Sequence, residues 1–316
     1  MSVRIMTTAV AARTLEPALQ ALNRIILGKE QQVKLALCCC LAHGHLLIED
    51  IPGVGKTTLA QALAKVLGLN YQRIQFTNDL LPADVLGVSV YVRERGQFEF
   101  HKGPIFSQLL LADEINRATP KSQSALLEAM EERQVTVDGA TYALPEPFFV
   151  IATQNPSDQI GTYPLPESQL DRFLMRISLG YPSPAMERQL LAGEDRRALL
   201  TALTPVLDGA TLQALQVRTQ SIYTADSVLD YVQALVLHTR TLDRYHAGLS
   251  PRAAMALLRA AQAWALLQGR DGVWPEDVQA VARAVAGHRL QHRAGHDSPR
   301  SRGADLEDWL LSVPVN

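Results

Sequence analysis

The sequence is short of cysteine, net charge and long apolar runs, and each shortage excludes a class of protein. Its three cysteines, Cys38, Cys39 and Cys40, are consecutive, so they cannot form a disulfide framework and are expected to be buried small apolar side chains. Thirty basic residues balance thirty-two acidic ones, which offers no global attraction to nucleic acid or an anionic membrane. No segment approaches the roughly 20 apolar residues that span a bilayer, and the N-terminal segment lacks the long apolar stretch of a signal peptide. We therefore expect a cytoplasmic protein that does not insert into a membrane.

What the sequence does contain is ordinary globular material. Apolar residues make up 47% and charged residues 20% of 316 residues, enough for two domains with sizeable cores. Five apolar runs predict buried strands, and helical or hairpin-like segments separate them, which indicates a parallel α/β sheet with helices on its faces. These runs begin near His45, Tyr71, Leu109, Phe148 and Phe173.

The composition changes at a Gly-Tyr-Pro-Ser-Pro segment, residues 180–184, after which helix formers dominate and strand signals almost vanish. We therefore divide the chain into an α/β domain over residues 1–181, with helices at its N-terminal end, and an all-α domain over residues 182–316. Near the end of the chain, residues 288–302 are rich in Arg and His and are expected to be a solvated helix end and loop. Beyond them, the helical spacing of Leu306, Trp309 and Leu310 favours docking of the tail.

The sharpest chemical signal is a segment between a predicted strand and a predicted helix. It consists of Asp50, Ile51, Pro52, Gly53, Val54, Gly55, Lys56 and Thr57. It matches the phosphate-binding P-loop pattern except that Asp50 stands where the first Gly is usual. The glycines let successive N–H groups turn inward as a nest for phosphate oxygens, and the following helix adds its positive end. Lys56 is predicted to reach the β- and γ-phosphates, and the Thr57 hydroxyl to ligate Mg²⁺.

Two further strand ends carry side chains suited to hydrolysis. The run Leu109–Ala112 ends in Asp113, which can hold the Mg²⁺ shell, and Glu114, which can orient and polarise an attacking water. The next run ends in Gln154 and Asn155, whose amide can hydrogen-bond that water or the γ-phosphate without adding charge. Together with the P-loop, these strand ends predict a nucleotide hydrolase.

Two arginines are candidates for the developing charge of phosphoryl transfer. Arg172 precedes the last predicted strand, and Arg252 opens a helix of the second domain after Ser250-Pro251. An arginine for this purpose can come from a neighbouring subunit. Spacing along the sequence does not decide between this role and that of an ordinary surface arginine.

Taken together, these segments resemble the AAA+ ATPases, and more narrowly the MoxR family, over nearly the whole chain from about Leu22 to Leu290. The resemblance is carried by ILGKE (26–30), LLIEDIPGVGKTTLA (46–60), RIQFTNDLLPADVLG (73–87), GPIFSQLLLADEINRATPKSQSALLEAMEERQVTVDG (103–139), FFVIATQNP (148–156), YPLPESQLDRF (163–173) and GLSPRAAMALLRAAQAWALLQGRDGVWPEDV (248–278). Asp50 at the first P-loop position is also common in that family.

The resemblance implies ATP with Mg²⁺, a sheet in AAA+ strand order, a helical lid and assembly into a ring, with a hexamer as the expected state. By resemblance, Glu114 is the Walker B glutamate, Asn155 is sensor 1, Arg172 is the arginine finger serving the neighbouring subunit, and Arg252 is sensor 2. The nucleotide-binding set implied in the same way runs from Asp50 to Thr58 and includes Ile26, Leu27 and Gly28, which with Lys29 line the adenine pocket through the backbone.

The family also inserts two hairpins into its core, here expected over Ser89–Phe100 and Arg133–Leu144. Both segments alternate like strands around a Gly-containing turn, which predicts hairpins independently. As rim or pore elements they would touch a client. The family suggests a chaperone-like motor that remodels or inserts metal into a partner complex, often with a von Willebrand A-domain protein.

Three other functions stay open from the sequence. A nucleic-acid machine shares this kind of core, although no added DNA-binding domain is recognisable and the hairpins mix Arg93, Arg95 and Arg133 with acidic residues. A magnesium-chelatase-type subunit also pairs an AAA+ ring with a von Willebrand A-domain partner. A nucleotide sensor without hydrolysis conflicts with the intact acids and Asn155.

Overall fold

The chain forms a parallel α/β sheet with helices packed around it, followed by a helical region. The computed structural model describes residues 6–156, 161–193, 196–243, 245–291, 309 and 312–314. The strands are β1 Leu46–Glu49, β2 Tyr71–Gln75, β3 Gly87–Val92, β4 Gln97–Lys102, β5 Leu109–Asp113, β6 Gln134–Val137, β7 Ala140–Ala143, β8 Phe149–Gln154 and β9 Met175–Ile177. The helices are α1 Thr8–Ile25, α2 Glu30–Leu41, α3 Lys56–Val66, α4 Pro82–Leu86, α5 Pro120–Glu132, α6 Glu167–Leu170, α7 Pro184–Ala192, α8 Arg196–Ala202, α9 Gly209–Gln220, α10 Asp226–Thr241, α11 Pro251–Leu267 and α12 Pro275–Ala286.

The sheet confirms the predicted α/β class and brings the strand ends together. Its order is β2-β5-β8-β1-β9, and every neighbouring pair is parallel. β5 is buried along its whole length and β8 along all but its last residue, which explains their continuous apolar runs. In the order in which they occur along the chain, the five strands lie side by side as 2-3-4-1-5, the AAA+ arrangement. β1 and β5 therefore flank β8, and their carboxyl ends meet at one edge.

The two N-terminal helices confirm the helices expected at the N-terminal end of the chain. α1 begins at Thr8, where the Thr7 hydroxyl accepts from the Val10 N–H and caps the helix. The break between the helices falls at Gly28, whose φ of +65° is a left-handed conformation that suits glycine. Among the described residues, no helix is long and apolar enough to cross a membrane.

One buried cluster joins the N-terminal helices, one face of the sheet and the helical region. α1 packs against both α3 and α11, and α2 packs against α9 and α11. Cys38, Cys39 and Cys40 are fully buried in this cluster and unpaired, and burial raises the pKa of each thiol above its usual value. They are apolar filling, as predicted.

Both inserted hairpins are present. β3 and β4 pair antiparallel from Gly87–Lys102 to Val92–Gln97, and β6 and β7 pair antiparallel from Gln134–Ala143 to Val137–Ala140. Gly96 and Gly139 adopt positive φ in the two turns, which is why the turns contain glycine.

The beginning of the segment 288–302 differs from the solvated loop expected for it. The side chains of His288 and Arg289 are buried. Arg289 pairs with Asp171 at 2.6 Å and donates to the carbonyl oxygens of Phe173 and Leu174, so it satisfies the backbone leading into β9. Residues 292–302 of that segment lie outside the described residues.

Of the three residues in the helical pattern near the end of the chain, Trp309 is the one that the structure describes, and it packs against the protein. Trp309 is fully buried and its indole N–H donates to the Leu235 carbonyl at 2.9 Å, while Leu306 and Leu310 lie outside the described residues. The tail is therefore anchored on α10 through Trp309, as the spacing predicts.

Candidate functional site

The P-loop runs from the end of β1 into α3 with its backbone open toward solvent. Gly53 and Gly55 have φ of +81° and +96°, and a Cβ at either position would meet nothing within 4 Å. The glycines thus leave a concave backbone surface at the N-terminus of α3, where phosphate oxygens are stabilised by N–H groups. Thr57 and Thr58 follow on the first turn of α3, half-buried. This cradle fits the triphosphate of ATP.

Lys56 lies across the P-loop and joins it to the neighbouring strand. Its ammonium donates to the main-chain oxygen of Asp50 and, at 3.2 Å, to that of Gln154 at the end of β8. The lysine is therefore held at the carboxyl edge of the sheet, beside the strand that leads to Asn155.

The two acids predicted for hydrolysis lie at this same edge. Thr153 on β8 donates its hydroxyl to Asp113 and accepts from the Glu114 N–H at 2.9 Å. Asn155, only 6% exposed, follows on the same strand end. The structure thus brings together Lys56, Asp113, Glu114 and Asn155, which come from three separate parts of the chain.

Glu114 has a backbone conformation that non-glycine residues rarely adopt. Its φ and ψ are 55° and 50°, a left-handed conformation that costs roughly 1–2 kcal/mol. Its carboxylate accepts from Gln75 at 2.9 Å and pairs with Arg117 at 3.0 Å. Such strain is typical of functional positions, where the surrounding contacts hold the residue in place.

Asp113 has a partner that the sequence analysis missed. The Arg73 guanidinium on β2 donates to one carboxylate oxygen of Asp113 from two nitrogens, at 2.6 and 3.1 Å. Register explains the pair, because β2 lies next to β5, but no local sequence signal marks it. Thr57, on the first turn of α3, and Asp113, at the end of β5, bring a hydroxyl and a carboxylate to the carboxyl edge of the sheet. The chemistry of these two residues fits Mg²⁺, which prefers oxygen ligands.

The segment assigned to adenine lies against the start of the helical region. A Cβ on Gly28 would approach the Met186 Cγ to 2.7 Å, so the loop and α7 touch closely there. Lys29 donates to the Tyr181 carbonyl at 2.8 Å. Ile26 is buried and Leu27 half-buried beside them.

Arg172 and Arg252 are not part of this cluster in the same chain. They line a cavity of about 190 Å³ together with residues 43–45 and Leu174, which precede β1 and β9. The cavity is thus at the amino edge of the sheet, whereas the P-loop is at the carboxyl edge, roughly 13 Å or more away across a four-residue strand. Each chain presents these two arginines away from its own P-loop.

The cavity at the amino edge is rich in arginine. Its cationic lining consists of Arg133, Arg172, Arg252, Arg259 and Arg289. Arg252 pairs with Glu131 at 2.8 Å, and Arg172 donates to the Leu127 carbonyl at 2.7 Å. Two acids, Glu131 and Asp171, face these arginines, so the cavity has an excess of positive charge suited to an anion.

His45 at this edge has a structural role. Its Nδ1 accepts from the Val150 N–H at 3.0 Å and its Nε2 faces the Met130 carbonyl at 3.3 Å, so Nε2 carries the proton. Burial and nearby Arg133 lower the pKa of the imidazole to about 3.

The buried imidazole makes stability depend on pH. The pKa of His45 is about 3 in the folded state and roughly 6.5 in the unfolded state. Between these values the unfolded state binds more protons, so the free energy of unfolding decreases as the pH is lowered. We expect the neutral, buried His45 to lower the free energy of unfolding by up to about 1.4 kcal/mol for each pH unit below about 6.5. Urea unfolding of His45→Gln at about pH 6.5 and about pH 5 should show a smaller loss than the wild type, with the exposed His101→Gln as control. Equal losses in His45→Gln and the wild type would contradict a neutral buried His45.

Comparison with known proteins places this site in a class. Residues 45–175 match the model of the ATPase family associated with various cellular activities, and residues 237–309 match the AAA lid domain. The fold, the P-loop and the acids at the β5 end define an AAA+ ATPase with a lid. A crystal structure of a proposed ATPase from Cytophaga hutchinsonii has a TM-score of 0.88 at 34% identity, covering 98% of this chain and 97% of that one.

Related proteins that align with most of the chain identify the family within this class. The Mycobacterium tuberculosis protein named Chaperone MoxR1 is 42% identical over 89% of this chain and 77% of its own length. Protein MoxR of Paracoccus denitrificans is 35% identical over 93% and 94%, and Bacillus subtilis YeaC is 49% identical over 86% and 85%. The chain belongs to the MoxR family of AAA+ ATPases.

Proposed function

We propose that this ATPase works as a ring of identical subunits that uses ATP hydrolysis to remodel or mature a partner protein complex. The observation that carries the proposal is the separation of the two halves of the site. Lys56, Asp113, Glu114 and Asn155 lie at the carboxyl edge of the sheet, whereas Arg172 lies at the amino edge with Arg252. The arginines of a second copy of the chain would complete the ATP site of the first.

The carboxyl edge supplies the groups that hydrolysis needs. The P-loop N–H groups and Lys56 bind the phosphates of ATP, while Thr57 and Asp113 hold the Mg²⁺, which neutralises phosphate charge when bound. Glu114 orients the attacking water and accepts its proton, and the Asn155 amide positions the same water or the γ-phosphate. Arg172 of the neighbouring subunit stabilises the charge that develops on the transferred phosphoryl group, and Arg252 joins it in the same cavity.

Ring assembly follows from head-to-tail contact. A subunit that offers one edge to its neighbour and receives the neighbour's opposite edge makes a heterologous interface, and such an interface generates a ring when its rotation closes. We propose a hexamer, the state that the family resemblance implies. The client and a von Willebrand A-domain partner, with metal insertion as one form of maturation, belong to the same proposal, as does a location in the cytoplasm without nucleic acid or membrane insertion.

The β3–β4 hairpin is our candidate for client contact. Tyr91 and Phe98 face each other across its strands with ring centroids 5.3 Å apart, and they are 52% and 71% exposed. Large exposed aromatic side chains of this kind commonly anchor protein contacts. The hairpin's Arg95 is paired with Glu99, so its charge is offset within the hairpin, which favours a polypeptide over nucleic acid.

Removing the aromatic pair should separate turnover from client contact. We expect the double variant Tyr91→Ala, Phe98→Ala to keep basal ATP turnover within about twofold of the wild type. The amount of client that it captures should fall by at least about tenfold. The matched control is Thr136→Ala with Thr141→Ala, a polar pair facing each other on β6 and β7. Capture and client-stimulated turnover are measured with the partner identified in the trapping experiment below. Undiminished capture by the aromatic variant would exclude this hairpin as the contact.

The proposal is tested by trapping the engaged state. Glu114→Gln loaded with Mg-ATP should bind nucleotide without hydrolysing it and so retain its client in a pull-down from native lysate. Lys56→Ala, which should hold ATP poorly, is the control. Enrichment of a von Willebrand A-domain protein or a metalloenzyme complex supports the chaperone-like function.

The other outcomes point to the alternatives. Enrichment of replication proteins, with ATP turnover that DNA stimulates and salt abolishes, would indicate a nucleic-acid machine. Enrichment of chelatase components would indicate a magnesium-chelatase-type subunit. Wild-type protein without measurable Mg-ATP turnover would indicate a nucleotide sensor.

A further inference from the structure

The first P-loop position has a carboxylate that the chemistry of hydrolysis leaves unused. Asp50 stands where the P-loop pattern has glycine, and its side chain is buried, 6% exposed, rather than turned toward the phosphate cradle. A buried carboxylate needs donors that stabilise its charge. The identity of those donors shows what Asp50 does.

Asp50 holds the segment that leaves the sheet. One carboxylate oxygen accepts from the N–H groups of Leu179 and Gly180, both at 2.6 Å, and from the Ser178 hydroxyl at 3.0 Å. The other oxygen accepts from the Ile51 N–H at 2.8 Å within the P-loop. These are short, charge-assisted hydrogen bonds, the stronger kind in proteins.

We call residues 178–183 the linker, because they connect β9 to α7 and the helical lid. The linker is held on two sides. Asp50 fixes its first part, where Gly180 takes a left-handed φ of +63°, and Lys29 from the adenine segment donates to the Tyr181 carbonyl. Both anchors belong to segments that are assigned to the nucleotide.

The same residue also contacts the lysine that serves the phosphates. The Lys56 ammonium donates to the main-chain oxygen of Asp50, while the Asp50 carboxylate holds the linker. A lysine drawn to the phosphates of ATP would exchange its contact with Asp50 for one with the ligand. Asp50 thus lies on a continuous chain of hydrogen bonds from the phosphate site to the lid connection.

We infer that Asp50 is a positioning residue that fastens the linker to the P-loop, so that nucleotide at the P-loop sets the orientation of the lid. Glycine at this position would keep the backbone turn but offer the linker no acceptor. The inference rests on the proposed function, in which the lid presents Arg252 to a neighbouring site. It adds a specific connection between binding of nucleotide and placement of that lid.

The test compares Asp50→Gly, which restores the common P-loop pattern, with Asp50→Asn, which keeps the shape and removes the charge. We expect KM for ATP to stay within about threefold of the wild type while kcat falls between about tenfold and 100-fold. With Mg-ATP present, the amide hydrogens of Leu179 and Gly180 should exchange at least about tenfold faster in the Asp50 variants than in the protein that retains Asp50. Ser178→Ala, which removes one of the three linker donors, should show a smaller effect in the same direction.

The control is Asp208→Asn, because Asp208 also accepts a main-chain N–H, that of Thr211, but caps α9 within the lid. It should leave kcat and exchange at residues 179 and 180 unchanged. Wild-type kcat and exchange in both Asp50 variants would overturn the inference. So would loss of ATP binding as severe as in Lys56→Ala, since Asp50 would then be part of the phosphate site itself. If Asp50→Gly fails to fold, Asp50→Asn decides alone.

Exchange is measured in the Glu114→Gln background, so the readout needs neither turnover nor client. Failure of the proposed function would appear as absent rings or absent client with the exchange difference intact. Failure of the inference would appear as unchanged exchange in the Asp50 variants, although the protein with intact Glu114 assembles and hydrolyses ATP.

Discussion

Replacing Glu114 with glutamine lowers the steady-state rate of ATP turnover by roughly 10³-fold and leaves the affinity for Mg-ATP within about threefold of the wild type. Glutamine keeps the length of the side chain and its reach toward Gln75, but it has no basic oxygen to take a proton from water. The backbone N–H bond to Thr153 holds the left-handed turn in both proteins. The loss therefore falls on kcat rather than on binding.

Phosphate release measured beside equilibrium binding of ATP checks this result. Glu276→Gln is the control, because Glu276 is an exposed glutamate on α12 that contributes to neither edge of the sheet. Turnover of Glu114→Gln near the wild-type rate would assign the water to another residue. Binding lost together with turnover would place Glu114 in nucleotide binding.

Replacing Arg172 with alanine is expected to reduce turnover by about 10³-fold or more, the range that an arginine finger contributes. Arg172 lies across the sheet from its own P-loop, so ATP binding to the same chain should be spared. Arg172→Lys should recover only part of the rate, since an ammonium cannot reproduce the planar fork of the guanidinium.

The exposed Arg283 on α12 supplies the matched control, and Arg283→Ala should turn over ATP like the wild type. Assembly is followed by light scattering, because Arg172 also donates to the Leu127 carbonyl within its own chain. An Arg172→Ala protein that assembles and retains turnover would remove the ring mechanism.

The parts of the site that are contiguous in sequence could be predicted, and so could the strand ends. Gly53, Gly55 and Lys56 lie within one loop, so their spacing alone specifies a phosphate cradle. Asp113 and Asn155 were placed correctly at one edge because parallel strands bring their carboxyl ends together. Both inferences need only local pattern and the general geometry of a parallel sheet.

What could not be predicted depends on register and on long-range packing. Arg73 reaches Asp113 across forty residues because β2 lies beside β5, and Asp50 reaches Gly180 across 130 residues because β1 lies beside β9. The sequence does not predict the burial of Arg289, because the segment 288–302 that contains it is rich in Arg and His, while the acceptors of Arg289 lie in the segment before β9. Composition describes a residue's neighbours along the chain and not those it meets after folding.

The placement of Arg172 and Arg252 is the finding that most changes the interpretation of the sequence. Spacing left both as candidate cations or surface arginines, and the fold puts them in one cavity at the amino edge. The α1 and α2 helices, assigned by sequence to the first domain, also pack against the lid helix α11, so the lid and the core share a buried cluster. Movement of the lid thus involves the N-terminal helices as well.

The central claim is that a complete site needs residues from two subunits, and mixing two inactive variants tests it most directly. Glu114→Gln subunits carry an intact Arg172, and Arg172→Ala subunits carry an intact Glu114. In a mixed ring, an Arg172→Ala site beside a Glu114→Gln neighbour has every required group. Random mixing in equal amounts makes about a quarter of the interfaces complete.

The measurement is ATP turnover of differently tagged variants, mixed with Mg-ATP and purified through both tags so that only mixed oligomers remain. The account predicts that turnover rises from near zero in either variant alone to roughly a quarter of the wild-type rate. Mixed oligomers that stay as inactive as the separate variants would show that Arg172 does not complete a neighbour's site, and would contradict the account.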